Sequence, residues 1–191
     1  HMGNYNGSAT SGPSSYQDST VYSVMSYYGP SWGNSTSAGM GQVAWADWVG
    51  PDGQLHSPQT PMLNDIMAIQ AIYGVETTTR TGDTVYGFHS TITGAQAKIY
   101  DFTLNANPIM TLFDSSGNDT LDLSGYATNS TVDLGPGAFS SCNSMTSNIA
   151  IAYSCTIENA VTGAGNDTLA GNDANNRLDG GAGSDTLFGG K

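Results

Sequence analysis

Basic residues are almost absent from this chain: lysine and arginine number 4 among 191 residues, against 16 aspartates and glutamates, for a formal charge of −12. A surface this acidic argues against nucleic acid or an anionic membrane as a partner. No stretch approaches the ~20 apolar residues of a membrane span, and no signal-peptide pattern opens the chain. Histidine is scarce too. His1, His56 and His89 include no pair four apart, so no helix carries the two-histidine face of an H-E-x-x-H zinc site. A new metal site on His56 and His89 is a weaker reading than ordinary surface or core roles. Cysteine occurs twice, at Cys142 and Cys155. An even count in an acidic, Gly-rich chain favours a disulfide over two buried free thiols. Such a bridge would be worth about 3 kcal/mol in the chain-entropy picture.

Against these absences stands a repeat. Residues 162 to 190 divide into TGAGNDTLA, GNDANNRLD, GGAGSDTLF and GG. This is the nonapeptide G-G-x-G-x-D-x-U-x, with U a large apolar residue, of calcium-loaded parallel β-rolls. The apolar position returns at Leu169, Leu178 and Leu187, and the loop aspartates Asp167 and Asp185 flank Asn176 in the intervening repeat. Six residues of each repeat make a turn and three a strand, so two repeats close one coil. Asp167 and Asp185 then stack on one edge about 4.8 Å apart. A disordered linker has a similar composition but no use for a period. Clustered carboxylates without cations repel one another, so stability is expected to depend on metal.

Elsewhere the reading is coarser. His1-Met2 reads as a cloning remnant. Residues 3 to 20 are polar, with Gly, Ser and Asn throughout, and read as loop; residues 30 to 60 are rich in Gly, Ser and Pro and carry Trp32, Trp45 and Trp48, expected to pack onto something. One helix is predicted after the cap Thr60, with Pro61 in its first position and Gly74 as its stop. Met62, Ile66, Ile69 and Tyr73 share a face, and Leu63, Met67 and Ile72 widen it, so the helix is expected to be mostly buried. From residue 80 short apolar runs alternate with turn residues: TVYGFHS, AKIYDF, IMTLFD, DTLDLSG, STVDLG, IAIAYS and CTIENAV. They predict strands in a mainly β domain, a roll or sandwich growing into the repeats.

Five ordered segments resemble the serralysins, secreted bacterial zinc endopeptidases of the metzincin clan with a calcium-binding C-terminal β-roll. SVMSYY (23 to 28) resembles the Met-turn and PMLNDIMAIQAIYG (61 to 74) the helix after it. TRTGDTVYGF (79 to 88) is similar to the entry into the β domain. DSSGNDTLDLSGY (114 to 126) and TIENAVTGAGNDTLAGNDANN (156 to 176) are similar to later segments. The resemblance implies a division into residues 3 to 78, the end of a catalytic domain, and 79 to 191, an RTX-type β-roll. GNYNGS (3 to 8) resembles the segment that follows the third zinc histidine, so the chain is expected to start just past the catalytic helix. The family's H-E-x-x-H-x-x-G-x-x-H motif does not occur, and without those ligands and their glutamate base water is not activated. The chain alone is expected to be inactive. The resemblance implies that Met25 floors the zinc site of the parent enzyme and that Tyr27 ligates its zinc and stabilises the oxyanion.

The resemblance also implies calcium ligands. One site would use main-chain oxygens of Arg80, Gly82 and Thr84 facing Asp114, Ser116 and Asp119. A neighbour would use Gly117, Asp119, Thr156 and Glu158, with Asp119 bridging the two ions. A third would pair Thr162, Ala164 and Asp167 with Gly180, Ala182 and Asp185. A weaker site on the opposite edge would use Gly171, Asp173 and Asn176. Both cysteines stand where serralysins usually carry aliphatic residues, which adds to the disulfide reading.

Two functions follow as expectations. The first is the C-terminal, calcium-binding and fold-stabilising portion of a secreted serralysin-like zinc endopeptidase. Its partners would be calcium ions, protein substrates of the parent enzyme and the remaining half of the catalytic domain, and its export route type I secretion. The second is a non-enzymatic RTX calcium-binding or adhesion module of an exported protein.

Overall fold

The computed structural model describes residues 16–26, 28–31, 43 and 45–190. Its frame is a stack of three-residue strands. β1 (Val85–Gly87), β3 (Thr120–Asp122), β7 (Asn159–Val161) and β9 (Arg177–Asp179) form one parallel sheet in that order. β4 (Thr131–Asp133), β8 (Thr168–Ala170) and β10 (Thr186–Phe188) form a second, also parallel. The remaining sheet has β6 (Ile149–Ile151) between β2 (Met110–Leu112), which is parallel to it, and β5 (Phe139–Ser140), which is antiparallel. The mainly β, parallel-roll architecture expected from the repeats is therefore present.

Strands this short hold because each centre points inward. Tyr86, Leu121, Ala160 and Leu178 are in register across one sheet, and Val132, Leu169 and Leu187 across the other. The pairing of Leu169 with Leu187 is the two-repeat coil read from the nine-residue period. Burial fades along the stack: Leu169 is fully buried, whereas Leu187 is 46% exposed. β10 has a single neighbouring strand, so its side chains have a packed coil on one side only.

The helix α1 (Leu63–Tyr73) starts two residues later than predicted and ends at Gly74 as expected. Thr60 does not cap it, because its hydroxyl accepts the Thr111 N–H at 2.9 Å and is spent on β2. Asp65 does that work. One carboxylate oxygen takes the N–H groups of Met62 and Val24, each at 2.9 Å, and the other the Ser23 hydroxyl at 2.6 Å. The predicted deep burial is not found. Only Leu63 and Asn64 are buried, while Ile72 and Tyr73 are 70% and 81% exposed. The apolar face is wider than the surface that the described residues offer it. AKIYDF, expected as a strand, opens with the short helix α2 (Ala97–Tyr100), whose Tyr100 ring packs edge-on against Tyr86.

The amino-terminal residues join the β part through a second core of Val21, Tyr22, Ala46, Trp48, Met62 and Leu63 against Ile109 and Met145. Trp48 is buried there, Trp45 is half exposed, and Trp32 lies outside the described residues.

Candidate metal centre

β1, β3, β4 and β8 are entered through turns, and the residue just before each of them repeats one interaction from coil to coil. On one edge the Thr84 N–H donates to Asp119 Oδ1 at 2.8 Å, and the Asp119 N–H donates to Glu158 Oε2 at 2.8 Å. On the other edge the Ser130 N–H donates to Asp167 Oδ1 at 2.6 Å, and the Asp167 N–H to Asp185 Oδ1 at 3.0 Å. The result is two carboxylate ladders, each acid capping the turn of the coil before it. The second confirms the stacking of Asp167 on Asp185.

The ladders leave charge unmatched. Asp119 and Asp167 are both 1% exposed, and the Oδ2 of each has no hydrogen-bond partner. A buried carboxylate oxygen without a donor is costly unless something positive meets it. Around Asp119 the problem is compounded. Burial pushes its carboxyl from an ordinary 3.8 up to about 6, and the charges of Asp114, Glu158 and Asp83 push the same way. The Thr84 N–H opposes them.

The other expected ligands of this edge gather round Asp119. Asp114 is 2% exposed and accepts the Tyr86 hydroxyl at 2.6 Å and, on its other oxygen, the Ser116 N–H at 3.2 Å. Gly117 has φ of 146°, and a Cβ there would lie 2.7 Å from both Asp119 Oδ1 and the Gly82 carbonyl oxygen, so only glycine lets these groups approach. Arg80 also has positive φ, 50°. Its guanidinium stacks over the Tyr100 ring at 4.9 Å and donates to the Phe113 carbonyl at 2.7 Å. The carbonyls of Gly82 and Thr84 already accept one hydrogen bond each, from the Thr84 hydroxyl and the Thr120 N–H. A carbonyl has a second lone pair, so both can still serve a cation. Thr156 lies two residues before Glu158 and is exposed.

On the second edge the Thr162 hydroxyl donates to the Gly180 carbonyl at 3.0 Å, and the Ala182 N–H to Gly163 at 2.8 Å. The Ala164 N–H reaches back to the Tyr126 carbonyl at 3.2 Å. Thr162, Ala164, Asp167, Gly180, Ala182 and Asp185 thus lie on two directly stacked turns.

The weaker set is organised differently. Asn176 Nδ2 donates to the Glu158 carbonyl and to Asn172 Oδ1, both at 2.9 Å, and its Oδ1 accepts the Asn172 N–H. Asn172 Nδ2 in turn bonds the Leu134 and Ile157 carbonyls. Of the oxygens that a cation would need, Asn176 Oδ1 is thus already met by an amide proton. Gly171 packs on Asn176, and Asp173 is exposed. Sequence reasoning missed Asn172, although an asparagine in the second position of a repeat, where glycine is usual, was the available signal.

Among the described residues no three His, Cys, Asp or Glu side chains converge as a metal centre by themselves. A cation on these ladders would be held by main-chain carbonyls with one or two carboxylates, a donor set that suits calcium, which takes ~6 to 8 oxygens. His56 and His89 are each engaged with a different aspartate, Asp52 at 3.1 Å and Asp122 at 2.9 Å. Met25 is 57% exposed, and Tyr27 lies outside the described residues.

The disulfide expectation is corrected. Cys142 and Cys155 are free and buried in one core. Cys142 Sγ accepts from Asn148 Nδ2 at 3.3 Å, whereas Cys155 Sγ accepts the Asp114 N–H at 3.3 Å, so each sulfur is committed to its own partner. Burial pushes each thiol up to about 12. A thiol reagent at about pH 8 is expected to label neither cysteine in the folded protein, and both once it is denatured without reductant. Failure to label the denatured chain would restore the bridge.

The sequence profile described as Peptidase M10 serralysin C terminal matches residues 75–189. Serralysin C of Dickeya chrysanthemi is 42% identical over 176 residues, covering 88% of this chain and 32% of that protein. Serralysin of Proteus mirabilis is 42% identical over 163 residues, 85% of this chain and 29% of the relative. Metalloprotease AprA of Pseudomonas entomophila (strain L48) is 41% identical over 179 residues, 90% and 33% respectively. The chain thus spans about a third of the length of these curated relatives.

Proposed function

Because the chain belongs to the serralysin C-terminal family of M10 peptidases, we propose that it is the calcium-binding, fold-stabilising portion of a secreted zinc endopeptidase. The carrying observation is the pair of buried, unpartnered oxygens, Asp119 Oδ2 and Asp167 Oδ2, at the centres of the two carboxylate ladders. A bound Ca²⁺ supplies fixed positive charge and oxygen coordination between successive turns.

The chain's own groups do the rest. Arg80, Gly82, Thr84, Asp114 and Ser116 would hold one ion with Asp119, and Gly117, Thr156 and Glu158 would hold a second, so that Asp119 would serve both. Thr162, Ala164 and Asp167 would hold a third together with Gly180, Ala182 and Asp185. The Gly171, Asp173 and Asn176 turn binds weakly, because Asn176 brings no charge and its Oδ1 already accepts the Asn172 N–H. Residues 3 to 78 belong to the catalytic domain and 79 to 191 to the roll. Met25 and Tyr27 serve the zinc site of the whole enzyme, whose histidine ligands this sequence does not contain. The chain alone therefore does not cleave protein. Binding only to the folded form links folding to calcium, so the roll forms where calcium is plentiful, outside the cell.

The test is elemental analysis after dialysis against micromolar calcium and zinc, with a casein cleavage assay on the same sample. Several calcium ions per chain, no zinc and no cleavage are expected. A chain that retains no calcium sinks the reading.

A further inference from the structure

We propose that the turn 124–130 and the turn 162–167 hold an additional divalent cation, of calcium type, one coil before the first nonapeptide repeat. The proposal rests on the calcium reading above but, Asp167 apart, uses residues outside its ligand sets.

The two ladders have equivalent heads. Thr84 stands above Asp119 and Ser130 above Asp167, each giving its N–H to the acid below. At the first head the Thr84 hydroxyl is spent on the Gly82 carbonyl. At the second nothing takes the hydroxyl: Ser130 is 2% exposed, and its Oγ has no partner. Thr128 Oγ1, two residues earlier, is also buried without a partner, as is Asp167 Oδ2. Three unsatisfied side-chain oxygens therefore share one pair of stacked turns.

Main-chain oxygens lie along the same pair of turns. A Cβ on Gly163 would lie 1.9 Å from the Tyr126 carbonyl oxygen, and one on Gly165 2.7 Å from that of Thr128. Alternate carbonyls thus lean over the glycines of the next turn, the arrangement of Gly163 and Gly165 over Gly181 and Gly183 one coil on. Thr128 Oγ1, Ser130 Oγ and Asp167 Oδ2, with Thr128 O and the second lone pair of Tyr126 O, whose first takes the Ala164 N–H, make five oxygens. With one or two waters they reach the number that calcium takes, ~6 to 8. Asp167 would bridge this ion and the next, the role proposed for Asp119 on the other edge. The sequence hides the site because SGYATNS carries no acid; the only carboxylate comes from Asp167, 37 residues from Ser130.

The experiment is calcium titration of the whole chain by calorimetry, with native mass spectrometry to count ions. Thr128→Val with Ser130→Ala is expected to bind one ion fewer than the parent. Asp185→Asn is expected to weaken a different ion, so that combining all three changes loses two. Ser130→Thr keeps the oxygen and should retain the full count, which separates loss of a ligand from a folding defect. An unchanged ion count and affinities in Thr128→Val with Ser130→Ala would assign the pocket to water and overturn the proposal alone. A parent chain that binds no calcium would overturn the broader reading as well.

Discussion

Chelating calcium at neutral pH is expected to cost this chain most of its stability, and the loss should fall on the roll. A site held at ~100 times its dissociation constant adds about 2.7 kcal/mol to the folded state. Two such sites give about 5 kcal/mol, and in a chain of this size that lowers Tm by roughly 10–20 °C. The hydrophobic frame cannot compensate at the far end of the stack, where Leu187 and Phe188 are 46% and 57% exposed. Thermal melts in calcium and in excess chelator measure the total. Hydrogen exchange locates it: amides of β8 to β10 should lose protection before those of β2 and β6, whose Met110, Leu112, Ile149 and Ile151 are buried in the core. Equal melts with and without chelator would defeat the calcium reading.

The second large effect concerns Asp119 in the cation-free chain. Its carboxyl is raised from 3.8 to about 6, chiefly by burial and then by Asp114, Glu158 and Asp83. A folded-state value above the unfolded one means that the group's contribution is fully present below about pH 4. It is lost as pH rises through about 6. The gap corresponds to about 3 kcal/mol. In chelator, then, this residue makes the protein more stable at about pH 5 than at about pH 8, and calcium reverses the trend by favouring the ionised form. Asp119→Asn should flatten the dependence, raise stability in chelator at neutral pH and weaken calcium binding by at least ~10-fold. Urea midpoints across this range in chelator, for both proteins, decide it. If Asp119→Asn keeps the parent's slope, the titrating group lies elsewhere.

Both effects arise where the backbone pattern and the charge pattern part company. The strands were legible because each needs one inward side chain and two flanking turns, all within nine residues: Leu169, Leu178 and Leu187 sit mid-strand as read. The helix stop at Gly74 was legible for the same local reason. The helix start was not, because Thr60 is taken by Thr111, 51 residues away. Nor was its exposure, which depends on what faces Ile72 and Tyr73. The cysteines misled because an even count says nothing about direction. Asn148 and Asp114 claim the two sulfurs before they can meet.

By itself the sequence determined a parallel roll of short strands, the glycine turns between them and membership of the serralysin C-terminal family. These follow from periodicity and from segments that carry their own conformational preference. Only the tertiary structure decided which carboxylate oxygens are left without a donor. Asp119 and Asp167 receive their N–H partners from residues 35 and 37 positions away, across insertions whose lengths follow no period. An unpaired buried charge is a property of stacked turns rather than of any one turn. It exists only once the coils have closed on each other.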